Sequence, residues 1–166
     1  MNIQSLESFA DDSRIWIYGF NREFKPSDKV IMNSRLAEFV QGWTSHGEPV
    51  RGGFALIENI FVVLAVSSKD FVSGCSIDSS VAVLKEMRDQ YGLDGLDRSR
   101  VYYRDHGQIV VVSRRDFVLL TNTGKINANV PVFDTTIPTL GDLRAGKFEI
   151  PLGQSWHAEL AHSNPS

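Results

Sequence analysis

The chain has a single cysteine, Cys75, among 166 residues. One thiol cannot close an internal disulfide, so a reducing cytoplasm is the expected setting. Basic residues are not in excess: 17 Lys and Arg stand against 20 Asp and Glu, giving a net charge of −3 and a pI near 5.8. A generic nucleic-acid binder would carry a basic patch, so nucleic acid is not an expected partner. Long apolar runs are missing too. The longest, residues 60–66, is far shorter than the roughly 20 residues that cross a bilayer, so no membrane association is expected. The opening "MNIQSLESFADDSR" has neither a basic nor an apolar region of signal-peptide type.

Sharp motifs are equally scarce. There is no G-x-x-x-x-G-K-[ST] loop, no G-x-G-x-x-G, no H-E-x-x-H, no paired C-x-x-C and no G-x-S-x-G elbow. No cofactor and no metal site is therefore expected from local pattern; a metal could be held only by residues gathered across the fold. What remains is an ordinary soluble composition, 42% hydrophobic and 22% charged, long enough for one globular domain.

Periodicity divides the chain into elements. "RIWIYGF", residues 14–20, predicts a strand apolar on both faces. Pro26 with a cap at Ser27 or Asp28 precedes a helix whose stripe is Met32, Leu36, Val40 and Trp43, with Phe39 beside them, stopped by Gly47 and Pro49. "FALIENIFVVLAV" predicts a hairpin turning near Glu58–Asn59. Ile77, Val81, Leu84, Met87 and Tyr91 predict a second helix ended by Gly92. "RVYYRDHGQIVVVS" predicts two more strands around 105–108, and Ser113 followed by Asp116 opens a short helix. Beyond Lys125 the pattern weakens to a strand near 130–133, a helical turn near 140–144 and a frayed tail at 161–166.

The order to Val112 is β-α-β-β-α-β-β, whose first six elements match the split pattern of ferredoxin-like folds. The expected architecture is thus α+β: a single domain with a ferredoxin-like βαββαβ core over about 14–112, two helices on one face of an antiparallel or mixed sheet. An irregular C-terminal extension over about 113–160 wraps it. In that topology three separated segments fall at one end of the sheet: Trp43 with His46, the start of the second helix at "SGCSIDSS", and Arg104 to His106.

A helix N-terminus presents unpaired N–H groups and about half a positive charge, which favours a thiolate or a bound anion. Cys75 is then a candidate nucleophile, His46 or His157 a general base, and Arg104 the holder of an anionic small molecule. Ser76 and Asp78 would line the helix start, and Trp43 and Trp156 would wall the pocket. Each also has a plain structural reading. A free cysteine packs well in cores. Ser76, Asp78, Ser79 and Ser80 are residue types that cap helices, with Ser76 first in line. Trp43 belongs to an apolar stripe, His46 complements a helix C-terminus, and Trp156 can anchor the tail. Thiol-dependent catalysis and a non-catalytic binding module that captures an anion or a partner both remain open. Oligomeric state leaves no mark in the sequence.

The segments "WTSHG" (43–47), "SGCSIDSSV" (73–81), "YRDHG" (103–107) and "SWHAEL" (155–160) resemble, in that order, a family of small uncharacterised bacterial proteins, some of which carry the label ABC transporter ATPase. The resemblance spans most of the chain and implies a bacterial relative without an assigned activity. It implies no ATPase chemistry here, because the chain has neither a Walker A loop nor an LSGGQ-type signature.

Overall fold

A computed structural model describes residues 4–70 and 74–161, with backbone alone at residue 4 and residues 74–76. Along the chain the strands and helices are β1 Arg14–Gly19, α1 Pro26–Gln41, β2 Thr44–Ser45, β3 Glu48–Pro49, β4 Gly52–Ile57, β5 Phe61–Val66 and α2 Gly74–Tyr91. There follow β6 Val101–Asp105, β7 Gln108–Val112, α3 Arg114–Asn122, β8 Pro131–Phe133, α4 Leu140–Arg144, β9 Glu149–Pro151 and α5 His157–Ala161. They form two compact units. The first comprises Met1–Arg98 with Thr136–Arg144; the second comprises Ser99–Thr135 with Ala145–Ser166. The α+β class is as expected, and the division falls after Arg98 rather than after Val112. No described helix is long and apolar enough to cross a membrane.

In the first unit the sheet order is β1-β5-β4, antiparallel throughout. β5 reads "FVVLAV", and all six residues are buried. A strand apolar on both faces belongs at the centre of a sheet, and burying each large side chain is worth about 1.5–3 kcal/mol. The β4–β5 turn uses Glu58 and Asn59 at φ +54° and +57°, the left-handed pair a tight hairpin needs. α1 begins at Pro26, earlier than its apolar stripe. Asp28 accepts the Lys25 N–H at 2.8 Å and pairs with Arg22 at 2.8 Å, so Asp28 is buried yet satisfied. The Arg22 hydrogen bond holds its carboxyl below the usual carboxylate range despite that burial. Arg35 of α1 clasps Glu86 of α2 through Nε and Nη2. At its far end α2 stops at Gly92, φ +66°, where the Gly92 and Leu93 N–H groups donate to the Arg88 and Met87 carbonyls.

The four-stranded ferredoxin-like sheet is not what these strands make. Its fourth strand would lie along the open edge of β1. That strand, β6, pairs instead with β7 and β8 in a separate sheet. The β1 edge is taken by the returning segment: Ile15 N–H donates to the Pro138 carbonyl at 2.9 Å, Leu140 N–H to Ser13 and Gly141 N–H to Asp11. Arg144 then pairs with Asp11 at 2.7 Å and donates to the Leu6 carbonyl. Three strands, β1, β4 and β5, form one antiparallel sheet in the order β1-β5-β4; the fourth does not join it.

The second unit is a sheet of order β7-β6-β8-β9. Val101, Tyr103, Phe117, Ile126, Val132 and Leu152 form its core, with Leu120 and Leu160 packed against them. The β6–β7 hairpin turns through His106 and Gly107 at φ +47° and +81°. Ser113 caps α3 by accepting the Asp116 N–H at 3.1 Å, as the sequence pattern indicates. The expected tail, apart from Ala161, lies outside the described residues.

Gly95 shows how closely the first unit packs. The Asn21 and Asp94 backbones are hydrogen bonded, which presses residue 95 onto Phe20. A Cβ at residue 95 would stand 2.6 Å from the Phe20 ring, which is itself fully buried. Gly95→Ala is therefore expected to destabilise the protein by about 1–3 kcal/mol through overpacking. Chemical denaturation checks this, and a change below about 0.5 kcal/mol would show that Phe20 has room to move.

Candidate functional site

Trp43 is buried with Val50 and Val66, and Trp16, Phe39, Val40 and Ile77 pack against that cluster. It leaves the helix just past its C-cap, Gly42, and lies in core rather than lining an open wall. His46 is exposed in the β2–β3 turn at φ +53°, followed by Gly47 at +81°. α2 begins at Gly74, which puts the Cys75 backbone in its first turn; the side chains of Cys75 and Ser76 lie outside the described residues. Ser76 is the third helical residue, not the cap, and Asp78 is exposed beyond the first turn. Ser80 is buried and donates to the Ile77 carbonyl at 2.6 Å. Of the three segments expected at one end of the sheet, Ile77 of α2 packs against the cluster that holds Trp43. The third segment expected there reached that end only through β6 joining the first sheet, which it does not do.

Arg104 belongs to the second unit. Its Nε and Nη2 grip both oxygens of Glu149 at 2.7 and 3.0 Å, and its Nη1 donates to the Gly107 carbonyl at 3.0 Å. The guanidinium also lies 5.3 Å from the Phe133 ring centre. This fork already holds an anion, the chain's own carboxylate, and an external anion would have to displace it.

The best-defined group of chemical side chains is in the second unit, at the start of α5. Ser155 and His157 are buried, while Trp156 between them is 37% exposed. The Ser155 Oγ lies 2.6 Å from His157 Nδ1 and accepts the His157 backbone N–H at 3.3 Å. A serine hydroxyl donates one hydrogen bond and accepts two, so either Oγ–H or Nδ1–H can supply the proton of this contact. The indole stacks on this imidazole, centres 3.9 Å apart and planes 25° from parallel. Its Nε1–H donates to Asp134 Oδ1 at 3.1 Å. Arg114, the first residue of α3, stands over the indole at 5.8 Å, and Phe117 meets the imidazole edge-on at 6.1 Å.

Burial pushes the His157 pKa down to about 4; Asp134 opposes the shift and Arg114 adds to it. His157 is therefore neutral at pH 7 and a weak proton acceptor, which suits a structural and donor role better than that of the general base considered from sequence. Among the described residues no cluster of three or more His, Cys, Asp or Glu is placed to hold a metal ion. Ser155, Asp134, Arg114 and Glu149 were not candidates from the sequence. Only Ser155 left a trace there, as a capping residue type two positions before a histidine. Compared with known proteins, the chain matches no protein family, no curated protein and no solved structure.

The His157 arrangement has a pH consequence. A histidine whose folded pKa is lowered costs nothing above the unfolded pKa near 6.5, where both states are neutral. As pH falls from about 6.5 to about 4 the unfolded chain takes up a proton that the folded chain refuses. Stability should drop by up to about 3 kcal/mol over that window. His157→Asn, which keeps an acceptor for Ser155 but cannot titrate, should flatten this part of the curve of unfolding free energy against pH. An unchanged curve would show that His157 is not the group responsible.

Proposed function

We propose that this protein works by binding rather than by catalysis, and that its recognition point is the Trp156 corner of the second unit. The observation that carries the reading is a tryptophan more than one-third exposed yet fixed on several sides by His157, Asp134 and Arg114. A tryptophan that only anchors a chain end is expected to be buried. One held rigid at the surface offers contact area at little cost in side-chain entropy, as binding hot spots do. The proposal keeps the binding-module alternative and moves it from the start of α2 to the start of α5.

The anchor and recognition readings differ in stability. Trp43→Ala, in the core, should cost about 3–5 kcal/mol. Trp156→Ala should cost no more than about half of that, near 1–2 kcal/mol, because part of its ring already faces water. Equal costs in denaturant unfolding would make Trp156 an anchor and remove the recognition reading.

A second proposal concerns Cys75 as the nucleophile of thiol-dependent transfer or hydrolysis, with His46 as proton acceptor. It is supported by the start of α2 at Gly74 and by the packing of Ile77 against the cluster that holds Trp43, three residues before His46. Iodoacetamide should then alkylate Cys75 faster than a free thiol at neutral pH, with a thiol pKa below about 8.5 that rises in His46→Ala. An ordinary rate and pKa would leave Cys75 without a chemical role.

A further inference from the structure

The polar groups around Trp156 are unevenly used. Its Nε1–H is spent on Asp134, so that carboxylate already receives a proton donor. Ser155 accepts from the His157 backbone and shares a hydrogen bond with Nδ1, so the hydroxyl is satisfied as well. One donor group is left over: Arg114 forms no ion pair or hydrogen bond among the described residues. At 5.8 Å the Arg114 guanidinium stands near the outer limit of a cation–π contact, so reorienting it toward an incoming acceptor gives up little. Asp116 in the first turn of α3 and Asp134 supply nearby negative charge, which disfavours a diffuse polyanion and favours a ligand with one compact charge.

Resting on the binding reading of this corner, we propose that it takes a small planar carboxylate. The exposed part of the Trp156 indole stacks on the ligand's ring or conjugated plane. The Arg114 fork pairs with the carboxylate. A planar guanidinium matches a carboxylate in two parallel hydrogen bonds, and an aromatic surface beside it selects a flat ligand. An ammonium group would leave the guanidinium unanswered, and a neutral alcohol would offer it only one uncharged acceptor.

The test uses the full chain, ¹⁵N-labelled, with the indole N–H signal of Trp156 assigned through Trp156→Phe. Benzoate, benzyl alcohol and benzylamine, matched in size and different in charge, are titrated separately. Benzoate should move the Trp156 signal to saturation, and at least about tenfold more weakly in Arg114→Ala, the loss expected for one charge-assisted contact. His157→Asn, which removes the imidazole stacked under the indole, should weaken benzoate by a few-fold while the other indole signals stay in place. Benzylamine or benzyl alcohol binding as tightly as benzoate, or an Arg114→Ala protein with unchanged benzoate affinity, would overturn the carboxylate assignment and leave a binding corner of another class. If none of the three probes moves the Trp156 signal, the recognition reading falls together with the carboxylate.

Discussion

The organisation of this chain depends on how the open edge of β1 is closed. An unpaired strand edge is a row of unsatisfied backbone groups and a template for unwanted pairing. Here the edge is met by residues 138–141, which arrive from the C-terminal third and give hydrogen bonds between Pro138 and Ile15, Leu140 and Ser13, and Gly141 and Asp11. Arg144 adds an ion pair to Asp11. With that edge occupied, β6 is free to join β7 and β8, and the second unit acquires a sheet and a core of its own. The chain leaves the first unit after Arg98, returns for nine residues at Thr136–Arg144, and leaves again.

The second unit then places groups that the first could not. Its last helix starts at His157, whose ring Nδ1 and backbone N–H both meet the Ser155 hydroxyl. A neutral, buried imidazole is a flat support. Trp156 lies on it with its N–H committed to Asp134, which leaves the indole oriented and partly in water. Arg104 and Glu149 show the opposite use of the same chemistry. A guanidinium closed on an internal carboxylate contributes to the sheet and has little left for a ligand.

Local features were legible in the sequence because their causes are local. The hairpins at Glu58–Asn59 and His106–Gly107, the Ser113 cap and the stop of α2 at Gly92 each follow from a few adjacent residues. The short run 140–144 was legible for the same reason. The pairing of β6 was not, since a strand reads the same whichever edge receives it. Arg104 and Glu149 lie 45 positions apart, and Trp156 and Asp134 lie 22 apart, with nothing in the intervening sequence to join them. Asp28 sits between these cases. Its place near a helix start was visible, while the Arg22 contact that lets it be buried needed the fold.

Two segments that look alike in sequence show where this limit has its largest effect. Each contains a tryptophan followed shortly by a histidine, Trp43 with His46 and Trp156 with His157, and both pairs read as pocket wall and proton acceptor. Their burial is reversed. Trp43 is 2% exposed in the core and His46 is exposed, whereas Trp156 is 37% exposed and His157 is buried. The cause in the first pair is the turn: His46 takes a left-handed conformation between β2 and β3, so its side chain is carried outward while Trp43 continues the apolar stripe of α1. In the second pair the Ser155 hydroxyl decides, because it holds the buried His157 ring by its Nδ1 and the intervening indole is left on the outside. Ring chemistry is the same in both places. The difference between a core tryptophan and an available one therefore comes from the backbone on either side, and it makes the start of α5 the more exposed aromatic site of the two.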